Sequence, residues 1–400
     1  MTTATVLSAR AATSKFWLIA AVGALISAIG FGSALYMEHH GHAVTGMTNQ
    51  IVWGLPHVFA IFLIVAASGV LNVASIGSVF GKTAYKKRAP LSGLLTLAML
   101  SGGLFVLMLD LGRADRVMIA ATRYNFTSVF AWNVFLYSGM FGIVAVYLWV
   151  LMEKRLYPFA KPVGVAAFVW RLVLTTGTGS IFGFLISRNA YQSALLAPMF
   201  IIMSFAWGLA VFLIVQAVMF RWNGKTLDPA ILKRMKNLFG TFIAAVLYFL
   251  IVYHLTNLYF AKQVAFEKFI LIDSGFAALF WIGQVLIGAL LPMAILYHPR
   301  LGQRICAVTA AAVLVIVGAF CELYVFIIGG EAFPLDIFPG AEITSSFFDG
   351  QVATYSPSLP EFLLGLGGLG VAFMITLVGV RLISKFLPED DAVQPDAATD

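Results

Sequence analysis

The chain has too little charge for a soluble protein of its size. Of its 400 residues only 11% are Asp, Glu, Lys or Arg, whereas 61% are hydrophobic. Soluble proteins average about 25% charged residues, so this charge could not cover the surfaces of the two or three soluble domains expected at this length. The shortage of charge excludes a soluble multidomain protein and indicates an integral membrane protein.

Cysteine is scarce as well. Cys306 and Cys321 are fifteen residues apart in one apolar run, and neither belongs to a Cys-x-x-Cys motif. A helix rises about 1.5 Å per residue, so the two thiols cannot reach each other. The sequence thus excludes a disulfide between them and gives no iron–sulfur or zinc motif.

Ten long apolar runs account for most of the chain. A transmembrane helix needs about 20 mainly apolar residues, and these runs do not alternate with period two as barrel strands do. We therefore predict an all-α integral membrane protein with ten helices in residues 16–386, preceded by a cytoplasmic segment (1–15) and followed by a disordered acidic tail (387–400). The runs lie near 16–36, 51–79, 91–112, 128–151, 163–186, 197–220, 237–261, 273–297, 305–329 and 361–386.

The basic residues indicate the orientation. Eighteen of the 25 Lys and Arg residues fall at the chain ends and in the connections after the second, fourth, sixth and eighth runs, and six fall in the other connections. Because basic residues favour cytoplasmic loops, both termini are predicted to be cytoplasmic. The sequence pI of 9.4 follows from this bias and needs no nucleic-acid partner.

Most polar residues inside the predicted helices then lie in the outer half of the membrane. His57, Asp110, His254 and Glu322 all fall within about two turns of an outer helix end, whereas Arg171 lies in the inner half of the fifth run. Ionisable groups within a membrane are costly and usually functional. The distribution predicts a site open to the outer face, with Asp110, His254, Glu322 and Arg171 as candidates for a proton path.

Three motifs resemble those of the NrfD/PsrC family of quinone-interacting membrane subunits. The first motif has two parts: "LDLGRADR" ends the third run, with Ala114 where the family usually has Pro, and "YNFTSVFAWNVFLY" opens the fourth. The second motif, "VTGMTNQIVWG", precedes the second helix, and the third, "YSPSLPEFLLGLG", opens the last. The region after "VWG" looks most like the ten-helix DsrP type.

The resemblance implies two four-helix bundles, about 51–186 and 197–329, with a quinone site in the first bundle near the outer face. It also implies that the subunit carries no haem or iron–sulfur cluster of its own. Electrons would pass between the quinone (menaquinone or ubiquinone) and a ferredoxin-like iron–sulfur subunit on the outer face. A multihaem cytochrome and further membrane subunits are expected partners in the bacterial inner membrane.

Quinone chemistry needs an apolar slot, hydrogen bonds at two ring oxygens and a route for protons. We expect His57 to bind one oxygen and Asp110 to exchange the proton. Arg113 and Arg116 would keep the neighbouring carboxylates ionised or stabilise negative charge. On the fourth helix Trp132 would form the wall of the slot, and two hydrogen-bonding residues four apart would share one face: Asn133 and Tyr137.

Three alternatives remain open from the residues alone. A ten-helix secondary transporter could use a fifth helix broken at "TTGTGS", beside Arg171, as its substrate site. A haem b could be held by His57 and His254. A metal could bind the histidines of the first outer loop: His39, His40 and His42.

Overall fold

The computed structural model describes residues 14–113, 116–335, 350–383 and 386, and within them ten helices are long and apolar enough to cross a membrane. This confirms the all-α membrane fold, and these described residues contain no strand. The predicted N-terminal segment up to residue 13, Asp115 and the tail from 387 lie outside them. The helices are α1 (Ser14–His40), α2 (Leu55–Ser78), α3 (Ala89–Leu109), α4 (Val129–Met152), α5 (Ala160–Gly183), α6 (Leu196–Trp222), α7 (Pro229–Tyr259), α8 (Phe276–Tyr297), α9 (Ile305–Ala332) and α10 (Leu359–Leu382).

Local capping determines where two of these helices begin. α7 starts at Pro229 rather than near residue 237, because the Asp228 side chain accepts the Ala230 N–H at 2.8 Å and Pro fits the first turn. α10 starts with a capping box in which Ser358 and Glu361 satisfy each other's backbone N–H groups.

α2 is the central helix, and almost all of its residues are buried. It packs against α3, α5, α6, α9 and α10, while α4 packs on α3 and α5. α7, α8 and α9 pack together beside α6, and α1 lies on α10. At the α2–α6 crossing a Cβ on Gly69 would stand 1.6 Å from the Ser204 carbonyl oxygen, so only glycine permits this approach.

α5 is continuous, although "TTGTGS" suggested a break. Thr175 and Thr178 donate to the carbonyls of Arg171 and Leu174, one turn earlier in the same helix. Arg171 itself is fully buried, with its guanidinium 4.8 Å from the Phe168 ring. The broken helix on which the transporter alternative depended is therefore absent.

Two helices contain π-helical turns that the sequence pattern did not predict. They are Leu279–Leu290 within α8 and Val325–Gly329 within α9. Such i→i+5 segments are rare in proteins, and those that occur are often found at functional sites.

The two ends of the molecule differ in charge. We call the end where α2 begins and α3 ends the site end. The opposite end, where α2 ends near Lys82 and Lys86, is the basic end.

Candidate functional site

The start of α2 lies beside the end of α3, which brings His57 and Asp110 together. The distance from His57 Nδ1 to Asp110 Oδ2 is 2.7 Å, and the Asp110 side chain is only 1% exposed. The His57 side chain is 14% exposed, and its Nδ1 atom is buried. The other ring nitrogen, Nε2, is accessible and has no partner among the described residues. A buried carboxylate thus orients the imidazole and leaves its second nitrogen open to a ligand.

The contact is an ion-pair distance rather than a well-aligned hydrogen bond. Although Asp110 Oδ2 lies close to His57, neither carboxylate oxygen of Asp110 has a partner of good hydrogen-bond geometry in the part of the chain that the structure describes. Buried carboxylate oxygens normally have such partners. Asp110 therefore retains the capacity to hold a proton or to bind a further polar group.

Trp53 and Glu331 complete the surroundings of His57. The Trp53 indole stacks on the imidazole, with ring centroids 5.9 Å apart, and its backbone N–H donates to Glu331 Oε2 at 2.8 Å. Arg188 donates to the carbonyl oxygens of Glu331 at 3.0 Å and Gln50 at 2.6 Å. The end of α9 is thereby tied to the loop that precedes α2, some 280 residues away.

Sequence reasoning missed Glu331 and Arg188. A signal was present: Glu331 follows the ninth apolar run, and Arg188 is one of the few basic residues in a connection at the site end. What the sequence could not show is that both contact the loop before α2.

Glu361 has a structural role at the same end. It is fully buried and accepts the N–H groups of Gly46 (2.9 Å) and Ser358 (2.7 Å) and the Tyr355 hydroxyl (2.8 Å). Burial raises the pKa of Tyr355, and the Glu361 carboxylate raises it further, so the phenol stays a donor. Its oxygen in turn accepts the Leu55 N–H at 2.6 Å, which satisfies the first turn of α2.

Arg113 and Arg116 are both exposed and lie at the surface beyond Asp110. Between them and Asp110, Gly112 has φ +68, and a Cβ there would stand 2.6 Å from His42 Nε2. Glycine is therefore required both by the backbone conformation and by the packing of His42 on this loop.

Asn133 and Tyr137 share the buried face of α4 that contacts α5. The Asn133 amide donates to the carbonyls of Val129 at 2.9 Å and Gly177 at 3.3 Å, and its Oδ1 has no partner among the described residues. Tyr137 is 5% exposed, and its hydroxyl lies near the side chain of Thr178 on α5. These groups line the inner side of α4, toward the bundle.

Trp132 lies on another side of α4. It is 44% exposed, its Nε1–H donates to the Phe126 carbonyl at 2.9 Å, and its ring contacts among described residues are Phe126 and Phe135. It forms part of a surface cavity of about 230 Å³. The cavity is lined by Tyr124, Asn125, Phe126, Ala131, Trp132 and Phe135. The structure thus does not bring Trp132 against His57.

A second histidine–carboxylate pair lies at the site end of α7. His254 Nδ1 is 2.6 Å from Glu267 Oε2, and Asn257 donates to Glu267 Oε1 at 2.7 Å. Glu267, which the sequence analysis did not single out, is fully buried. Both of its oxygens are satisfied, in contrast to those of Asp110.

Glu322 lies deeper in the same group of helices. It is 5% exposed, interacts with Gln284 on the π-helical part of α8, and has no hydrogen-bond partner for Oε1 among the described residues. Beside it is a cavity of about 20 Å³, enough for one water molecule. The described residues gather no cluster of three or more His, Cys, Asp or Glu that could hold a metal.

Ten apolar helices around a buried histidine–carboxylate pair define a multi-pass membrane protein with a polar site at one end. The chain belongs to the family described as polysulphide reductase, NrfD, whose model matches residues 43–335. This confirms the family predicted from the motifs, while the DsrP subtype stays a prediction.

Three relatives are subunits of oxidoreductases. The Hdr-like menaquinol oxidoreductase integral membrane subunit of Archaeoglobus fulgidus is 30% identical, over 94% of each of the two sequences. A selenate reductase subunit of Mesobacillus selenatarsenatis is 21% identical, over 92% of this sequence and 94% of that one. A polysulfide reductase subunit of Wolinella succinogenes is 24% identical, over 61% of this sequence and 83% of that one.

Proposed function

We propose that the protein is the quinone-interacting membrane anchor of a multisubunit oxidoreductase of respiration or sulfur metabolism. It exchanges electrons between the quinone pool and an iron–sulfur subunit on the outer face. The observation that carries the proposal is the His57–Asp110 pair, an oriented imidazole with an accessible nitrogen at one end of a transmembrane bundle. The names of the relatives, one of them a menaquinol oxidoreductase, support this class and not a transporter.

His57, Trp53 and Asp110 have separate roles in this proposal. His57 Nε2 binds one ring oxygen, and Trp53 packs beside the imidazole. Asp110 receives or returns the proton through His57, because its Oδ2 lies 2.7 Å from Nδ1 and its oxygens have no well-aligned hydrogen-bond partner among the described residues. The quinone, menaquinone or ubiquinone, is a substrate that supplies the two-electron chemistry, and the protein needs no haem or cluster of its own.

The other predicted residues take supporting roles in this proposal. Asn133 and Tyr137 provide polar groups on the bundle side of α4, and Arg113 and Arg116 give the rim positive charge. The aromatic cavity at Trp132 would hold the apolar tail, since its side chains are largely exposed at the membrane surface.

Arg171 and Glu322 remain candidates for proton movement. Arg171 Nε and Nη2 have no hydrogen-bond partner among the described residues, and neither does Glu322 Oε1. Buried polar atoms of this kind usually bind ordered water. Proton transfer through them would therefore need water molecules in the bundle.

We further propose that the site end faces the outside of a bacterial cytoplasmic membrane, with both termini inside. The excess of Lys and Arg at the basic end supports this orientation. The partners would dock at the site end: a ferredoxin-like iron–sulfur subunit and, beyond it, a multihaem cytochrome. The division into two four-helix bundles, with α2–α5 in the first and α6–α9 in the second, belongs to the same proposal.

Two variants test the site. His57→Ala and Asp110→Asn should lower quinol-linked turnover at least about 100-fold, the usual worth of acid–base catalysis, while the purified complex keeps its subunits. His40→Ala and Glu38→Gln, exposed residues at the same end, are the matched controls. Normal quinol turnover in both site variants would refute the assignment.

A further inference from the structure

The His254–Glu267 pair resembles the His57–Asp110 pair in its short contact and its buried carboxylate, although only the oxygens of Glu267 are hydrogen-bonded. In each, Nδ1 of a partly exposed imidazole lies within 2.7 Å of a carboxylate oxygen, and the carboxylate is at most 1% exposed. An aromatic ring packs beside each imidazole: Trp53 at 5.9 Å and Phe280 at 4.8 Å.

His254 lies at the border between the buried and the exposed side of α7. Its Nε2 has no partner among the described residues and is not buried. Of its helix neighbours, Leu250 and Asn257 are buried, whereas Ile251 and Leu258 are 55% and 41% exposed. His254 lies five residues before the end of α7 at Tyr259, about 7.5 Å below that end.

α7 has 31 residues and is about 46 Å long, which exceeds the hydrocarbon core of about 30 Å, so its last turns lie near the boundary with the headgroups. A ligand dissolved in the membrane can therefore bring an oxygen to this nitrogen. The protonated ring would donate to a carbonyl and the neutral ring would accept from a hydroxyl. A quinone and its quinol present both groups, whereas a phospholipid ester only accepts.

We propose that the His254–Glu267 pair is a second binding site for the quinone ring, on the opposite group of helices from His57. The inference rests on the proposed function, since it takes the quinone pool as the source of the ligand. Glu267 accepts from both His254 and Asn257, so it fixes the orientation of the imidazole. Because the proposed function places the redox chemistry at His57, the second site is assigned binding of the ring alone.

The test is a binding stoichiometry on the intact purified complex, in nanodiscs of quinone-free phospholipid, with a tritiated short-tail naphthoquinone as the probe. The informative variants are His254→Asn and His57→Asn. Asn keeps a donor where Nδ1 stood, so Glu267 keeps its bond and Asp110 keeps a polar neighbour, and the substitution removes only the Nε2 position. His40→Asn, at an exposed residue of the same end, is the control.

We expect two molecules of probe for each copy of the protein in the native complex and the control, and one in either variant. Quinol turnover should fall at least about 100-fold in His57→Asn and stay unchanged in the His40→Asn control. One molecule for each copy, lost in His57→Asn and kept in His254→Asn, overturns the second site and leaves the proposed function standing. No binding to any form overturns both.

A lipid occupant gives a different result. If one quinone binds for each copy of the protein and a tightly retained phospholipid disappears only in His254→Asn, the imidazole binds a lipid ester and the second quinone site is overturned. Loss of binding in His254→Asn alone would support a site at His254 and refute the one at His57.

Discussion

The imidazole of His57 is oriented by a buried carboxylate and packed against an indole, and both contacts arise from backbone positions at helix ends. Asp110 is the first residue after α3, and Trp53 belongs to the loop before α2. Because both residues lie directly at helix ends, their distances from His57 depend on how the start of α2 and the end of α3 are held together. The function of the residue is thus inseparable from the structure of the loop.

The structure separates the roles of two tryptophans. Trp53→Leu removes the ring stacked on His57 and should weaken the binding of long-tail and short-tail quinols alike by about fivefold, since such contacts are worth about 1 kcal/mol. Trp132→Leu should weaken only the long-tail quinol, because Trp132 lines the surface cavity and does not contact His57. Titration of the purified complex with both quinols measures this, and equal losses of short-tail binding in the two variants would contradict it.

His57 and Asp110 could be predicted as site candidates from the sequence, because ionisable residues in apolar runs are rare. The sequence could not predict that Trp53 rather than Trp132 stacks on His57, because both are aromatic residues near a helix start. Only the rotation of each helix about its own axis decides which ring faces inward. That rotation depends on the packing of the whole bundle.

At the scale of helices, the π-helical turn in α9 decides where Glu331 points. Nine residues separate Glu322 from Glu331, and in a regular α-helix they would lie on opposite faces. One extra residue in the turn shifts all later positions by about 100°, which brings both carboxylates to the buried side. Glu331 can then accept the Trp53 N–H.

Arg188 joins this helix end to the loop before α2 through two backbone carbonyls. Arg188→Lys cannot keep both contacts, because the ammonium lacks the forked geometry of the guanidinium. We expect the KM for quinol to rise about tenfold with kcat little changed, since the loop that carries Trp53 loosens. Arg123→Lys is the control, because it makes the same charge-conserving change at an exposed residue of the same end. An unchanged KM in Arg188→Lys would show that the two hydrogen bonds of Arg188 do not support the site.

Helix number and most boundaries were predictable because the apolar runs are long and continuous. The start of α7 was misplaced because the basic residues of its first turns interrupt the apolar pattern, whereas Asp228 and Pro229 give a sufficient local signal. The continuity of α5 was not predictable, since the burial of Arg171 involves a residue of another helix, Phe205 of α6.

At the scale of the whole molecule, the protein brings its distant parts together at the site end. α1 lies on α10, Gly46 bonds Glu361, and Trp53 bonds Glu331. Contacts over some 300 residues cannot be read from local patterns. The proposed orientation, in contrast, rests only on where the basic residues collect along the chain.

Cysteine labelling tests the orientation. In a background of Cys306→Ala and Cys321→Ala, single cysteines replace the exposed Thr122 at the site end and the exposed Arg155 at the basic end. A membrane-impermeant maleimide should label position 122 in intact spheroplasts and position 155 only after permeabilisation. The reverse pattern would place the site end in the cytoplasm.

An electron cryomicroscopy structure of the intact complex with a bound quinone analogue tests the role of His57 most directly. We predict that one ring oxygen lies within hydrogen-bonding distance of His57 Nε2, about 2.7–3.2 Å, with the Trp53 indole beside the ring and Asp110 still in contact with Nδ1. An analogue bound elsewhere in this protein, with His57 Nε2 in contact only with protein or lipid, would contradict this role.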